Sequence, residues 1–405
     1  LSSSSAASDV YKRQCHNGGG VGGGGGGALR FPLVVIDEAA QAIELSALIP
    51  FKFGARHAVL VGDPKQLPAT VLSTEAARCL YAEGLFHRAV RAGLKPAMLS
   101  VQYRMHPQIA AFPARHFYAG ALNDGVSAAQ RQRPHHASAR GALGPFALHS
   151  VGEGRERGGG AGGSLRNDAE AAHVARLLGA LREHAPELFA PPAGGGGSGA
   201  ALGGYGAGGC GAPGGCRERE RLSVACIAPY KEQVRALRRA ATALLGEPFV
   251  AGASSSGALE FATVDGFQGR EVDVLLYSAT RASPSGGLGF VADMRRLNVA
   301  LTRARTSLVL VGHAPTLARN AQFSALLEHA RSTGALFDAD DALRRCEREA
   351  APVAPAGVLE RARASGGAAV GGKRVVGEAG GDARADALPL SKRSARRRTA
   401  RSEPV

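Results

Sequence analysis

The sequence predicts an α/β fold in which parallel β-sheets are covered by helices on both faces. Five short apolar runs, at 33–36, 58–61, 223–228, 272–279 and 307–312, have the length and composition of buried parallel strands. Helical patterns accompany them at 74–92, 106–118, 167–184, 230–245 and 316–331. Strands that alternate with helices are typical of βαβ units and doubly wound sheets.

The distribution of glycine predicts which parts of the chain fold. Many of the 56 glycines among the 405 residues fall within two stretches, 18–27 and 194–215, with the composition of flexible linkers. The opening residues LSSSSAASDVYKRQ are similar to a cloning or assembly scar. We predict a disordered scar-like and glycine-rich segment at 1–28, the C-terminal part of a first domain at 29–96, a second domain at 97–335 with a glycine-rich insertion at about 152–216, and a disordered basic tail at 336–405.

The charge of the chain favours a polyanionic partner. The formal net charge is +15, which suits nucleic acid better than a membrane surface, and no apolar run approaches the roughly 20 residues of a membrane span. The string KRSARRRTAR fits either a disordered tail or a signal for nuclear import or RNA contact. Six scattered cysteines favour a reducing compartment over a disulfide framework. We expect a monomer in the nucleus or, failing that, the cytoplasm.

Polar residues directly follow the first two apolar runs. Asp37 and Glu38 end the first run, where one acid could hold Mg²⁺ while its neighbour orients a water molecule. An acidic start to a helix, favoured by the helix dipole, explains the same pair. Asp63 and Gln66 follow the second run in a tight turn, and Gln66 is suited to contact a phosphate oxygen or a water.

Further candidates lie at later strand ends. Tyr103 and Arg104 stand where a strand ends and a helix begins, the edge at which parallel sheets bind ligands. Glu271 follows a glycine in a loop between apolar runs and could accept hydrogen bonds from ribose. Arg303 and Arg305 precede a strand, where an arginine could stabilise a transferring phosphoryl group or merely cap a helix.

In order and spacing, six blocks across about residues 31–331 resemble the motifs of superfamily 1 helicases of the up-frameshift and senataxin-like branch. They read DEAAQ, GDPKQLP, QYRMHP, APYKEQV, VDGFQGRE and RRLNVALTRAR. The resemblance implies two RecA-like domains in tandem, the first incomplete. It also implies ATP and Mg²⁺ at the site, and ATP-driven translocation on single-stranded RNA or DNA in the 5′ to 3′ direction.

The same resemblance assigns roles to residues. It implies that Asp37 binds Mg²⁺, that Glu38 is the catalytic base and that Gln66 senses the γ-phosphate. Arg104 would contact the γ-phosphate, and Arg303 would be a second arginine finger. Tyr103 would stack on adenine, and Glu271 would contact ribose beside Gln268 and Gly269. It places nucleic acid near Pro229, Tyr230, Lys231, Thr263 and Val264. Independently of the resemblance, Lys231, Arg235, Arg238 and Arg239 share one helix face, which is either a phosphate contact or a solvated surface.

One motif of these helicases is not found in its expected place. The phosphate loop GxxxxGK[ST] should precede Asp37, and the string from Gly367 to Lys373 matches it only in part and lacks a preceding strand. We therefore expect the C-terminal part of an ATP-dependent helicase that alone hydrolyses ATP poorly or not at all. The alternative is a non-catalytic nucleic-acid-binding protein that keeps the helicase scaffold.

Overall fold

The computed structural model describes residues 30–71, 73–137, 141–158, 163–189, 223–283 and 287–348. The segment predicted at 1–28 lies outside the described residues, as do positions 349–405 of the predicted tail. The basic string, the glycine-rich stretch 194–215 and the partial phosphate-loop match are outside them too.

The first sheet has two parallel strands, β1 (Leu33–Ile36) and β2 (His57–Leu60). They are connected by a 3₁₀ turn at Ala39–Gln41, helix α1 (Glu44–Leu48) and a second 3₁₀ turn at Ile49–Phe53. Helices α2 (Thr74–Arg78) and α3 (Leu85–Arg91) follow. The single helix predicted over 74–92 is wrong, because Leu80 has a φ of 59°, outside the helical region, and separates the two.

One side of the first sheet is open to solvent. Leu33 and Val35 of β1 are 53% and 60% exposed, and Val59 of β2 is 46% exposed. Two strands alone are at best marginally stable in water, and contiguous exposed apolar side chains mark contact surfaces. One face of the first sheet is therefore left uncovered by the described residues.

The remaining strands form two short pairs and one larger sheet. In chain order they are β3 (Val101–Gln102), β4 (Asn123–Asp124), β5 (Phe146–Ser150), β6 (Arg157–Gly158), β7 (Leu165–Arg166), β8 (Val224–Ala228), β9 (Leu259–Thr263), β10 (Val272–Ser278), β11 (Ala304–Gly312) and β12 (Leu336–Asp338). Six of them form one parallel sheet in the order β12-β5-β11-β10-β8-β9. The predicted α/β class with parallel sheets is confirmed.

Helices cover both faces of this sheet. In chain order they are α4 (Pro107–Phe117), α5 (Ala128–Arg131), α6 (Pro134–Ala137), α7 (Asp168–His184), α8 (Lys231–Leu245), α9 (Glu247–Ser255), α10 (Met294–Leu301), α11 (Ala314–Leu317), α12 (Ala321–Ser332) and α13 (Ala339–Arg348). Alternate residues of β8 show the two layers: Cys226 packs with α7, α8 and α9, while Ile227 packs with α4, α10 and α12. No helix in the described ranges is long and apolar enough to cross a membrane.

Two of the predicted boundaries are wrong. The insertion predicted at about 152–216 contains α7, whose Leu177, Leu178 and Leu181 are buried against the sheet. The tail predicted from 336 begins too early, because β12 pairs with β5 and Leu343 of α13 is buried. The helical pattern at 167–184 predicts α7 itself but not its burial in the core, and the charged composition after 336 suggested a segment without a core.

The prediction also missed strands and one helix break. β5, β9 and β12 are absent from the predicted set, because each is short or carries polar residues such as His149 and Glu260. The helix predicted at 316–331 is two helices, α11 and α12. The break falls at Asn320, whose side chain accepts hydrogen bonds from the first amides of α12.

Candidate nucleotide and nucleic-acid sites

Two acidic side chains lie at the carboxyl end of β1. Asp37 and Glu38 are both exposed, and Asp37 Oδ1 accepts a hydrogen bond from the Glu38 backbone amide at 2.9 Å. Glu38 has a φ of 51°, a left-handed conformation that is uncommon for residues other than glycine. Gln41 Nε2 donates to Glu38 Oε2 at 2.6 Å. The Glu38 carboxylate is thus held by a strained turn and by a side-chain amide.

The residues at this turn fit a magnesium ion bound together with a nucleotide. Mg²⁺ in nucleotide sites uses one or two carboxylates and completes its shell with water and phosphate oxygens. The hydrogen bond from Glu38 uses only Oδ1 of Asp37, so Oδ2 remains as a ligand. The described ranges contain no group of three or more His, Cys, Asp or Glu side chains that could hold a metal unaided. Asp37 would therefore need the oxygens of a nucleotide.

Gln66, in the loop after β2, is held by hydrogen bonds at both atoms of its side-chain amide. Asp63 Oδ2 accepts a hydrogen bond from Gln66 Nε2 at 2.9 Å, and Gln66 Oε1 accepts one from Arg303 Nη2 at 3.0 Å. A Cβ on Gly62 would lie 2.8 Å from the Ala40 amide nitrogen, so glycine is required for the loop to pass this close to β1. The amide of Gln66 therefore has a fixed orientation between the two sheets.

Helices of the larger sheet bind the same loop. Tyr118 Oη donates to Asp63 Oδ2 at 2.5 Å, and Asn298 Nδ2 donates to Tyr118 Oη at 2.9 Å and to the Lys65 carbonyl at 3.1 Å. Burial and then the charge of Asp63 raise the pKa of Tyr118, so the hydroxyl keeps its proton and remains a donor. Tyr118 and Asn298 were not among the predicted site residues, because nothing local in the sequence links them to Asp63.

Glu271 binds two arginines at once. Arg104 Nε lies 2.5 Å from Glu271 Oε2, and Arg305 Nε donates to Glu271 Oε1 at 2.9 Å. Burial acts to raise the pKa of Glu271, but hydrogen bonds from Arg305 and Arg104 outweigh it and lower the pKa. Arg104 Nη1 also donates to the Thr302 carbonyl at 3.0 Å. A hydrogen bond therefore joins Arg104, which is predicted to contact phosphate, to Glu271, which is predicted to contact ribose. Arg305 binds the same carboxylate.

Arg303 is a buried cation. It is 3% exposed and donates to the carbonyls of Val299 and Arg270 and to the Gln66 amide oxygen. Burial, followed by the positive charge of Arg104, lowers the pKa of Arg303 to about 10, so it stays charged at pH 7. No carboxylate of the described residues forms an ion pair with it. The negative charges of Glu38 and Glu271 act on Arg303 without an ion pair to either, so a bound anion would compensate the burial of this cation more fully.

Tyr103 and Gln268 present groups that a ligand could use. The Tyr103 side chain is 65% exposed, and its ring lies so close to Gly125 that a Cβ there would overlap it. Gln268 Nε2 is buried without a hydrogen-bond partner among the described residues, and Gly269 follows it with a φ of 75°. An exposed ring and an unpaired amide donor suit an aromatic, polar ligand.

The residues predicted to contact nucleic acid lie at one edge of the larger sheet. Pro229, Tyr230 and Lys231 follow β8. Thr263 is the last residue of the neighbouring strand β9, where it pairs with Ala228, and Val264 follows it. Lys231 is exposed, and Pro229 and Thr263 are partly exposed. Tyr230 and Val264 are 4% and 1% exposed, so they can offer a ligand only their backbone.

A buried polar network fixes the backbone beside this edge. Glu170 Oε2 accepts hydrogen bonds from Ser278 Oγ at 2.6 Å and from the Thr280 amide at 2.7 Å, and Thr280 has a φ of 71°. Gln233 Nε2 donates to Ser278 Oγ at 2.9 Å, and Asn167 Nδ2 donates to Glu170 Oε1 at 3.0 Å. Burial raises the pKa of Glu170 to about 8. The spacing of Asn167 and Glu170 at the start of α7 is a helix-capping signal that sequence reasoning could have used.

Four histidines are buried within the larger unit of strands and helices. His135 Nε2 and His136 Nε2 are each 2.8 Å from Ser307 Oγ, and His149 Nδ1 is 2.9 Å from His173 Nε2. Burial lowers the pKa of all four: to about 4 for His135 and His149, and to about 3 for His136 and His173. These imidazoles are therefore uncharged near neutral pH.

Carboxylates, a glutamine and arginines therefore meet where the carboxyl ends of β1 and β2 face the amino ends of β10 and β11, an arrangement that fits the class of nucleotide-binding proteins. Two family models match the chain, each described as an AAA domain, over residues 27–74 and 81–315. The chain belongs to this family and, within it, to the superfamily 1 helicases of the senataxin and up-frameshift type.

Several helicases are similar to the chain. It is 37% identical over 309 residues to the probable helicase MAGATAMA 3 of Arabidopsis thaliana, covering 76% of this chain and 33% of that protein. It is 35% identical to helicase sen1 of Schizosaccharomyces pombe, covering 75% and 16% of the two chains. It is 33% identical to ATP-dependent helicase NAM7 of Saccharomyces cerevisiae, covering 78% and 29%. The chain thus spans a third or less of the length of these relatives.

A solved structure of the PRRSV helicase is also similar, at 13% identity and a TM-score of 0.31, covering 70% of this chain and 36% of that one.

Proposed function

We propose that these residues form part of an ATP-dependent helicase that couples ATP hydrolysis to movement along single-stranded RNA or DNA, in the 5′ to 3′ direction. The observation that carries the proposal is the hydrogen bond between Gln66 and Arg303, at 3.0 Å. It joins the loop after β2 of the first sheet to the end of α10 on the larger sheet. A phosphate bound there would touch both parts of the molecule.

The site residues divide the chemistry of hydrolysis. Glu38 would take the proton of the attacking water, and Gln66 would hold that water or the γ-phosphate. Arg303 and Arg104 would stabilise the negative charge that develops on the transferring phosphoryl group, which is worth about 10³ to 10⁵ in rate in known systems. Mg²⁺ held by Asp37 would neutralise phosphate charge when bound.

Recognition of the nucleoside uses the remaining residues. The exposed ring of Tyr103 would stack on the adenine, and the unpaired amide of Gln268 would donate to the nucleotide beside Gly269. Glu271 would accept from ribose through Oε2, which accepts only one hydrogen bond, from Arg104, and so keeps a lone pair. Arg104 is the arginine that the phosphate would attract, because Arg305 makes a second hydrogen bond to Glu271.

Coupling to movement follows from the contacts of the Gln66 loop. Asp63 and Lys65 in this loop are bound by Tyr118 on the end of α4 and Asn298 on α10. Loss of the γ-phosphate would therefore change contacts shared by both sheets. The nucleic acid would cross Pro229, Lys231 and Thr263, with the backbone at Tyr230 and Val264. We further propose that the protein is a monomer located in the nucleus or the cytoplasm.

Strand separation tests the proposed activity and direction. We expect the full-length gene product, given ATP and Mg²⁺, to separate a duplex with a 5′ single-stranded overhang and to leave a 3′-overhang duplex intact. Release of the labelled strand on a native gel measures both. Arg331→Ala, which removes an exposed side chain of α12, is the control and should behave as wild type. Separation without ATP would contradict the coupling, and separation of only the 3′-overhang duplex would contradict the direction.

A further inference from the structure

Helix α8 presents a basic face to solvent. Lys231, Arg235, Arg238 and Arg239 are all exposed, whereas Ala236 and Leu237 on its other face are buried. The three arginines line a surface cleft of about 460 Å³ between α8 and the start of α9. Its lining consists of Arg235, Arg238, Arg239, Thr242, Ala243 and Glu247. Three arginines against one glutamate make the cleft positively charged.

The three arginines differ in the partners that their guanidinium groups already have. Arg235 forms an ion pair with Glu232 one turn earlier on α8. Arg238 has its guanidinium carbon 5.5 Å from the centre of the Phe261 ring, a cation–π contact that uses none of its N–H donors. Arg239 has no carboxylate partner among the described residues. Arg238 and Arg239 are therefore cations with donors to offer a ligand, and Arg238 is held in place by Phe261.

We propose that this face of α8 is a second binding surface for single-stranded nucleic acid, which contacts the phosphates of the strand through Arg238 and Arg239. The proposal rests on the proposed function, because it assumes that a strand reaches Lys231 at the sheet edge. From Lys231 to Arg238 the helix advances about 10 Å at 1.5 Å per residue. A strand that leaves the edge at Pro229 and Thr263 would run along α8 into the cleft.

The chemistry of the cleft fits phosphate. Guanidinium groups bind phosphate oxygens with two parallel hydrogen bonds, and the Thr242 side chain in the same lining can donate a further one. Contacts to phosphate carry no sequence information, so this surface would strengthen binding without selecting a base sequence. A helicase that moves along any sequence requires such contacts.

The dependence of binding on salt tests the proposal. For a single strand, each phosphate contact contributes about 0.7 to the slope of log affinity against log salt concentration. We expect Arg238→Ala/Arg239→Ala to reduce the magnitude of that slope for oligo-uridine by about 1.4, the value for two contacts. The lysine pair Arg238→Lys/Arg239→Lys, which keeps both charges, should restore most of the slope. Fluorescence anisotropy of labelled oligo-uridine with the complete chain gives these values.

The matched control removes the same charge from elsewhere. Arg115→Ala/Arg331→Ala removes two exposed arginines from α4 and α12, on the opposite face of the sheet. All variants keep the C-terminal basic string, so its contribution to the slope is common to them. The control should retain the wild-type slope. Circular dichroism should show the wild-type helix content in every variant, since all four residues are exposed.

Other outcomes would overturn the inference. An equal loss of slope in the control would mean that only net charge matters, and an unchanged slope in Arg238→Ala/Arg239→Ala would mean that the strand does not touch α8. Polyglutamate binding could depend on Arg238 and Arg239 while oligo-uridine binding does not depend on them. In that case the surface would bind an acidic protein. Failure of the wild-type chain to bind oligo-uridine at all would instead overturn the proposed nucleic-acid function, and the α8 surface with it.

Discussion

Arg303→Lys is expected to lower the rate of phosphate release from ATP by about 10³-fold or more in the full-length gene product. The buried guanidinium binds Gln66 and two backbone carbonyls through separate nitrogens. Lysine keeps the charge but cannot hold these partners and a phosphate oxygen together, since its ammonium is a single compact donor. The loss should fall on kcat, because this arginine would act mainly on charge that develops during phosphoryl transfer.

Steady-state phosphate release with saturating single-stranded RNA measures this effect. Arg331→Lys, an exposed arginine on α12, is the matched control and should leave kcat unchanged. Thermal unfolding of Arg303→Lys should be recorded beside it, so that a loss of fold is separated from a loss of chemistry. A folded Arg303→Lys protein with kcat within tenfold of wild type would exclude Arg303 as an arginine finger.

Acidification from pH 7 to pH 5 is expected to destabilise the fold strongly. Burial lowers the pKa of His149 to about 4 and that of His173 to about 3. Below pH 6.5 the unfolded chain binds protons that the folded chain does not, so stability is lost as the pH falls from about 6.5 towards 4. The loss at pH 5 is on the order of 2 kcal/mol for each such histidine, against a total of about 5 to 15 kcal/mol for a typical domain.

Burial is the main reason that these imidazoles resist protonation, and the hydrogen bond between them acts in the same direction. His149 Nε2 donates to the Ala142 carbonyl at 3.0 Å, which leaves Nδ1 to accept from His173 Nε2. A proton on His149 Nδ1 would face the N–H of His173. His135 and His136 share Ser307 Oγ in a similar way, and burial lowers their pKa to about 4 and about 3.

Urea unfolding at pH 7.5, 6.0 and 5.0 measures this dependence. His149→Gln/His173→Gln keeps a hydrogen-bonding pair that cannot titrate, so its stability should fall less between pH 7.5 and 5.0 than that of the wild type. An exposed histidine provides the control, and His57→Gln on β2 should follow the wild-type curve. The account fails if the wild type is equally stable at pH 7.5 and 5.0, or if the double variant keeps the full dependence.

Strands with a continuous apolar sequence and helices with a regular amphipathic pattern could be predicted from the chain alone. β1 was predicted with its exact bounds, and α4, α7 and α8 to within one residue at each end. β5 could not be predicted, because it contains His149, whose burial depends on His173 from a helix that comes later in the chain. The end of the fold was placed too early for a related reason, since β12 becomes a strand only by pairing with β5.

In the candidate site, too, the residues with a local sequence pattern could be predicted, whereas the contacts between distant residues could not. Resemblance to helicase motifs indicated Gln66, Arg104, Glu271 and Arg303, and the structure brings these into two contacting pairs, although their catalytic roles stay predictions. The partners that hold them were missed, because the contacts join residues far apart in the chain. Tyr118 and Asp63 are separated by 55 positions, and Arg104 and Glu271 by 167. Spacing in a sequence carries no information on such distances.

Phosphate release from ATP by the full-length gene product, with and without single-stranded RNA, tests the central claim most directly. The account predicts that RNA stimulates release and that Glu38→Gln abolishes it, while Glu38→Gln still binds a non-hydrolysable ATP analogue and RNA. RNA binding with no phosphate release, or release that Glu38→Gln leaves unchanged, would contradict it. The first of those results would make the protein a non-catalytic nucleic-acid-binding protein that keeps a helicase scaffold.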